Sequence, residues 1–276
     1  MDDGNRLVDL LSREDLDSAA VAFLQDARDE PWVVACSGGA DSVCLLWLVW
    51  LLYPEKREAL VVFHFDHGVR DESAEDAMFV EDLAHSLGLT FILGSGGGLG
   101  QGSEAKLRKA RLDFFHGEME KQSFRILFQG HQLDDVAETM LMRLSRGSGT
   151  GGLAAPRPVQ SVGGGSFVHV RPLLGLGRAR IRDALRECGL AWREDASNDA
   201  PDFFRNRVRA KVVPSLQDAA QQDVLQAVSR SRMFLEEDDA ALCAWSQEVY
   251  ATLGANISLR WPEDLPLAVV RRVLHL

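Results

Sequence analysis

An α/β fold, with a doubly wound, mostly parallel sheet followed by a small helical C-terminal part, is what this 276-residue sequence predicts. Three observations carry that expectation. Short β-prone apolar runs alternate with helical stretches from about residue 32 to residue 174, the pattern of strands joined by crossover helices. A glycine pair in Ser37-Gly38-Gly39-Ala40-Asp41-Ser42 lies where the first such run meets the first apolar helix. Beyond Val213-Pro214 the strand-like runs stop.

Each element follows from its local pattern. Residues 14–29 read as an acidic amphipathic helix, part of an N-terminal unit at 1–30 packed on the next domain. Trp32-Val33-Val34-Ala35-Cys36 is continuously apolar, as a strand buried on both faces should be. Residues 43–49 are long and apolar enough for a buried helix, and 59–65 read as a second buried strand. Residues 72–87 place apolar side chains at Ala77, Val80, Leu83, Ala84 and Leu87, a helical spacing. Strands are then expected at 90–93, 125–130 and 167–174, with helices at 104–121 and 133–145. The glycine-rich stretch 94–102 fits no register of G-x-G-x-x-G and reads as a surface loop. Gly163-Gly164-Gly165 reads as a linker or hairpin tip, and 216–245 as helical. The expected units are 1–30, a nucleotide-binding catalytic domain at 31–215, and a helical linker with a short or truncated C-terminal domain at 216–276.

Composition narrows the class. Hydrophobic content of 46% and charged content of 26% are ordinary for a globular protein, and no apolar run reaches membrane-spanning length. The start of the chain, Met1-Asp2-Asp3-Gly4, lacks the basic and apolar regions of a signal peptide. Four scattered cysteines without a CxxC pair suit a reducing cytoplasm and argue against a zinc or iron–sulfur site. The net charge of −11 predicts weak non-specific binding to nucleic acid, yet the charge is segregated. Residues 1–30 hold nine acids against three bases, whereas residues 171–211 hold ten bases against six acids. A local basic face of that kind leaves an RNA partner open.

The Ser37–Ser42 junction is where an α/β protein would hold a phosphate. Two glycines let the backbone turn sharply and expose consecutive N–H groups, and the helix start adds its positive dipole end. Asp41 and Ser42 also suit an exposed helix start, where capping alone would explain them. The spacing is not that of a Walker A loop. Ser-Gly-Gly-x-Asp-Ser instead resembles the PP-loop of ATP pyrophosphatases, which cleave ATP to AMP and pyrophosphate.

Two further constellations follow strands. His64-Phe65-Asp66-His67-Gly68 offers polar groups for a base and ribose, and lacks the third ligand that zinc needs. Gly130-His131-Gln132-Leu133-Asp134-Asp135 runs into a helix on which Asp134, Asp135 and Glu138 crowd at i+3 and i+4. Like charges so close cost stability unless a cation neutralises them, either magnesium on ATP phosphates or the ammonium of an amine substrate.

Five blocks in order sharpen the resemblance. They are HFDHGVRDES; ARLDFF preceded by Glu104 and Arg108; GHQLDDVAETMLMRLSRGSGTGGL; VRPLL; and WREDASNDAPDFFRNRVR. Together with SGGADS they resemble the tRNA(Ile)-lysidine synthetase family over about residues 32–216, whose fold is adenine nucleotide alpha-hydrolase-like. The resemblance implies an ATP-dependent ligase that adenylates C2 of the wobble cytidine in the CAU anticodon of tRNA(Ile). L-lysine then displaces AMP. It implies that Ser37, Gly38, Gly39, Ala40 and Ser42 cradle the phosphates and that Asp41 and Asp135 hold Mg2+. His64, Asp66, His67, Gly130 and His131 would line the nucleotide site. Arg108 and Arg111 would stabilise charge on the transferring phosphate. Asp134, Asp135 and Glu138 would serve metal and lysine. Arg143, Arg146, Asn198, Arg205, Asn206, Arg207 and Arg209 would engage the tRNA, since Arg fits phosphate bidentately. Such an enzyme would be cytoplasmic, with no membrane partner; a homodimer is compatible with the sequence.

Two departures stand out: Leu112 where the family usually has an aromatic residue, and Gln132 where a second histidine is common. Rival readings are a cytidine thiolase, which needs cysteine pairs, a small-molecule ligase, which does not need the RNRVR block, and a catalytically silent RNA- or nucleotide-binding module.

Overall fold

The computed structural model describes residues 2–27, 29–68, 73–96, 104–194, 204–253 and 265–275. Its centre is a six-stranded sheet of β1 (Trp32–Ala35), β2 (Leu60–Asp66), β3 (Thr90–Ser95), β4 (Ile126–Gln129), β5 (Val159–Val162) and β6 (Phe167–Val170). The spatial order is β3-β2-β1-β4-β6-β5, and all neighbours are parallel except the antiparallel edge pair β5 and β6. The chain leaves β1 towards β2 and β3, then crosses back to β4. The strand order therefore reverses between β1 and β4, the place where such sheets bind ligands.

Alternation within the strands sorts two cores. Trp32, Val34, Val62, Ile126, Phe128, Val168 and Val170 face one side, where α3 (Ala40–Leu52), α4 (Ser73–Ser86) and α8 (Arg178–Glu187) pack. Val33, Phe63, Phe65 and Leu127 face the other and meet Phe115 and Met119 of α5 (Glu104–Lys121). The central strands are apolar on both faces because both are covered.

Several expectations needed adjustment. The single helix expected at 14–29 is a short 3-10 turn, Arg13–Asp15, followed by α2 (Ser18–Asp26), whose N-cap Asp17 accepts from the Ala19 and Ala20 amides. α1 (Asp2–Leu10) precedes them. β6 ends at Val170, four residues before the expected end, because Pro172 starts a 3-10 turn, Pro172–Gly175, and cannot donate to a ladder. β5 had no apolar run to announce it: Val159-Gln160-Ser161-Val162 is half polar and only partly buried. Gly163–Gly165 forms the tip between β5 and β6. Gly94 belongs to β3 rather than to a loop, and a Cβ there would lie 2.5 Å from the Phe114 ring.

After α6 (Leu133–Leu144), the short α7 (Thr150–Leu153) leads to the β5–β6 hairpin. The C-terminal half is helical: α9 (Phe204–Arg207), a π turn at Val208–Val212, α10 (Val213–Ala220), α11 (Val224–Leu253) and α12 (Leu267–Val273). Gln221, left-handed at φ 50°, separates α10 from α11. Buried Asp239 fastens α11 to the rest by accepting from Arg272 of α12, Thr150 of α7 and Arg157. Among the described residues, no helix is long and apolar enough to cross a membrane.

Candidate active site

The loops after β1, β2 and β4 meet at the carboxyl edge of the sheet around a cleft of about 550 Å³. That is large enough for a nucleotide. Its floor is the Ser37–Ser42 turn. The Cys36 amide still donates to Phe63 O (2.9 Å), so the turn springs directly from the β1–β2 ladder. Gly38 then adopts φ +88°, which only glycine takes without strain. Gly39 caps α3 with no side-chain bond, and Ser42 stitches the turn together instead. Its hydroxyl accepts from the Ser37 amide (3.1 Å) and donates to Gly39 O (2.9 Å).

His64 and Gly130 fix the neighbouring loops. His64 Nδ1 lies 2.8 Å from Cys36 O, and burial holds its ring below the ordinary histidine range. A neutral ring with its Nδ1 proton on that carbonyl satisfies both groups. Gly130 allows a close backbone crossing: a Cβ there would lie 3.1 Å from the Asp41 carbonyl and from Ser42 Cα. This packing carries His131 beside the helix start and half-buries Asp41. The exposed position expected for Asp41 is corrected accordingly, since its Oδ1 is shut from solvent and has no hydrogen-bond partner. Burial, reinforced by the charge of Asp135, pushes its carboxyl up to about 7, against the pull of Arg178 and Arg182.

The acidic cluster on α6 is largely neutralised from within. Asp135 Oδ2 accepts from the Gln132 amide (3.0 Å) and Oδ1 from Arg205 (2.7 Å). Burial raises its carboxyl even so. Asp134 accepts from the backbone amide of Arg178 (2.9 Å) at the start of α8. Glu138 is 1% exposed and meets Arg205 (2.7 Å), Arg209 (2.7 Å) and Arg178 (3.3 Å). Burial opposes its charge, but Arg209 and Arg205 outweigh that and hold it below the usual range. Gln132 gains a physical role here. It caps α6, its side chain accepting from the Asp134 amide while its own amide donates to Asp135.

On the other side of the cleft, arginines converge on His131. Its ring is held neutral by burial and by the positive charges of Arg171, Arg108, Arg205 and Arg111, and Nδ1 has no partner. Arg111, which lines the cleft, is drawn down to about 10 by burial and by repulsion from Arg108 and Arg205. Arg171, 3% exposed, is lowered to about 10 for the same reasons, burial first and then Arg108. Cations this crowded and desolvated make the cleft electropositive around His131, even with Arg205 already paired to Asp135 and Glu138.

The remaining expected residues divide. Asp66 and His67 line the cleft with the Ser37–Ser42 turn, Asp66 accepting from the Gly68 amide (2.7 Å). Arg143 donates to Gly152 O and so braces the turn after α6, while Arg146 is exposed. Arg207 lies over the Phe204 ring at 5.8 Å, beside half-buried Asn206. Asn198 lies outside the described residues. Arg178, Arg182, Arg193, Glu194 and Asp76 also line the cleft and were given no place in it by sequence. The one available signal was the Arg178–Arg182 i,i+4 spacing at a helix start.

Comparison with known proteins places this geometry. The chain is 42% identical over 253 residues to a tRNA(Ile)-lysidine synthase of Solibacter usitatus, covering 88% of this chain and 55% of the relative. It is 40% identical over 273 residues to that of Symbiobacterium thermophilum, covering 88% and 54%. The chain thus spans about half the length of the curated relatives it matches. The solved U34-tRNA thiolase NcsA from Methanococcus maripaludis superposes with a TM-score of 0.62 at 14% identity, over 85% of this chain and 78% of that one, a likeness of fold. The PP-loop domain family matches residues 13–216, the whole sheet and every loop that meets at the cleft, and the chain belongs to it.

Proposed function

We propose that this chain carries the catalytic domain of a tRNA(Ile)-lysidine synthetase, with residues 31–215 as the catalytic unit and tRNA(Ile) bearing a CAU anticodon, ATP and L-lysine as substrates. One observation carries the reading furthest: the cleft is lined both by the Asp41 carboxylate, whose Oδ1 has no hydrogen-bond partner, and by the desolvated guanidinium of Arg111. Nucleotide phosphates with a divalent cation satisfy both. Among the described residues no group of three protein ligands could hold a metal alone. Mg2+ suits that situation, since it uses one or two carboxylates and completes its shell with phosphates and water. Asp41 fits as the principal ligand, with Asp135 behind it. Bound there, the cation would offset charge on the phosphates and on leaving pyrophosphate.

The residues divide the work as follows. The amides of the Ser37–Ser42 turn and the start of α3 hold the phosphates. Arg111 and Arg108 lie on the side from which charge on the α-phosphorus is stabilised as the cytidine O2 attacks and the bond to pyrophosphate breaks. Neutral His131 offers Nδ1 as a hydrogen-bond acceptor without adding positive charge. In the second step the lysine ε-amine bonds to C2, the C2–O bond breaks, AMP departs, and the amine proton passes to solvent. Asp134 and Asp135 draw the ammonium form to the cleft edge. Such chemistry belongs in the cytoplasm, with tRNA.

Thiolation is less well supported. Cys36, Cys44 and Cys188 are buried and only Cys243 is exposed, so no accessible cysteine pair serves sulfur transfer. Transfer of labelled lysine to a CAU-anticodon tRNA(Ile) transcript, dependent on ATP, tests the proposal. Labelling is expected with the CAU transcript and absent when the wobble cytidine is replaced by uridine. Equal labelling of both transcripts, or none, would contradict it.

A further inference from the structure

A peptide plane carries its carbonyl and the following N–H on opposite sides, so fixing one fixes the other. At the left-handed Gly38 (φ +88°), the carbonyl accepts from the backbone amide of Arg193 at 2.8 Å. The Arg193 stem also lies against the same glycine, its Cγ 3.6 Å from where a Cβ would stand. The guanidinium reaches past it to the first turn of α4, donating from Nε to Asp76 Oδ1 and from Nη2 to Glu75 Oε2, both at 2.9 Å. Arg193 therefore ties three things together: the phosphate turn, the start of α4, and the strand-free segment that follows α8. Its neighbour Glu194 is held by Arg182 (3.1 Å) and Trp192 (2.9 Å), so the segment is pinned on both sides of the contact.

We propose that Arg193 is a positioning residue whose clasp on Glu75 and Asp76 holds the Gly38–Gly39 peptide in its phosphate-binding orientation. The inference rests on the ATP reading of the cleft. Gly39 lines that cleft, and although Ser42 and the Val43 amide hold the Gly39 carbonyl, the preceding Gly38–Gly39 peptide is held at its own carbonyl by Arg193. Without the clasp the Gly38 carbonyl is free to turn inward, replacing an N–H donor by an oxygen that repels phosphate.

ATP affinity, measured by calorimetry with Mg2+ on the full chain and paired with thermal unfolding, tests this. Arg193→Ala is expected to weaken ATP about fivefold to tenfold, the scale of two partly exposed ion pairs acting through one anchor, with Tm little changed. Glu75→Gln with Asp76→Asn should weaken it equally, and adding Arg193→Ala should cause no further loss. Arg193→Lys should recover part of the affinity. Wild-type affinity in Arg193→Ala, additive losses across the cycle, or a loss that merely tracks Tm would overturn the proposal. A wild-type chain that binds no ATP would instead overturn the nucleotide reading, and the clasp with it.

Discussion

Asp41 shows how one side chain can oppose folding and serve chemistry. An unfolded Asp ionises near pH 4, whereas here the carboxyl is pushed up to about 7. Between those values the folded chain holds the extra proton, so this group makes stability fall as pH rises through that window. Asp41→Asn is therefore expected to stabilise the ligand-free protein at pH 8 by about 1–2 kcal/mol, after allowance for solvent screening, and to give no gain below pH 4. The same substitution should abolish ATP turnover and remove the stabilisation that Mg2+ gives the wild type. Thermal unfolding at both pH values, with and without Mg2+, checks all three; a variant no more stable than wild type at pH 8 would contradict the account. The motif singled out Asp41 from sequence. Its burial was not legible there, because it depends on Gly130, eighty-nine positions away in the chain, packing so close that a Cβ on it would lie 3.1 Å from the Asp41 backbone.

α6, α8, α9 and the π turn after it meet through Glu138, whose two oxygens are shared among Arg178, Arg205 and Arg209. The helical period disclosed that Asp134, Asp135 and Glu138 would crowd together. Nothing local disclosed that their counter-cations would come from 40 to 71 residues further along, because ion pairs of that separation leave no periodic trace. Glu138→Ala leaves three guanidinium groups without their shared carboxylate and is expected to cost about 3–5 kcal/mol, read by denaturant unfolding. Arg205, bound to Asp135 and Glu138, belongs to the catalytic side as much as to any RNA face, so replacing it should disturb ATP as well as tRNA. Arg207, exposed on α9, is the cleaner probe. Arg207→Ala should weaken tRNA binding, lower the slope of log affinity against log salt by about 0.7–0.9, and leave ATP affinity unchanged. An unchanged slope would argue that Arg207 touches no phosphate.

The molecule as a whole places opposite demands on the two sides of a switch point, where the chain turns from β3 back to β4. A sheet covered on both faces could be anticipated because its central parallel strands must be apolar on both faces, and Trp32–Ala35 and Ile126–Phe128 are; the strand order itself was not legible. The polar edge strand β5 escaped because an edge needs no such run. The overall charge of −11 coexists with the arginine wall around His131 because the acids lie elsewhere, nine of them in residues 1–30. The cleft is expected to turn ATP over to free AMP and pyrophosphate only when both an RNA acceptor and an amine are present to complete the reaction. Multiple-turnover AMP release with a CAU-anticodon tRNA(Ile) transcript, with and without lysine, measures that directly. The account predicts sustained AMP formation with both, at most a single burst of pyrophosphate with tRNA alone, and neither in Asp41→Ala. Sustained AMP release without tRNA, or undiminished turnover in Asp41→Ala, would contradict it.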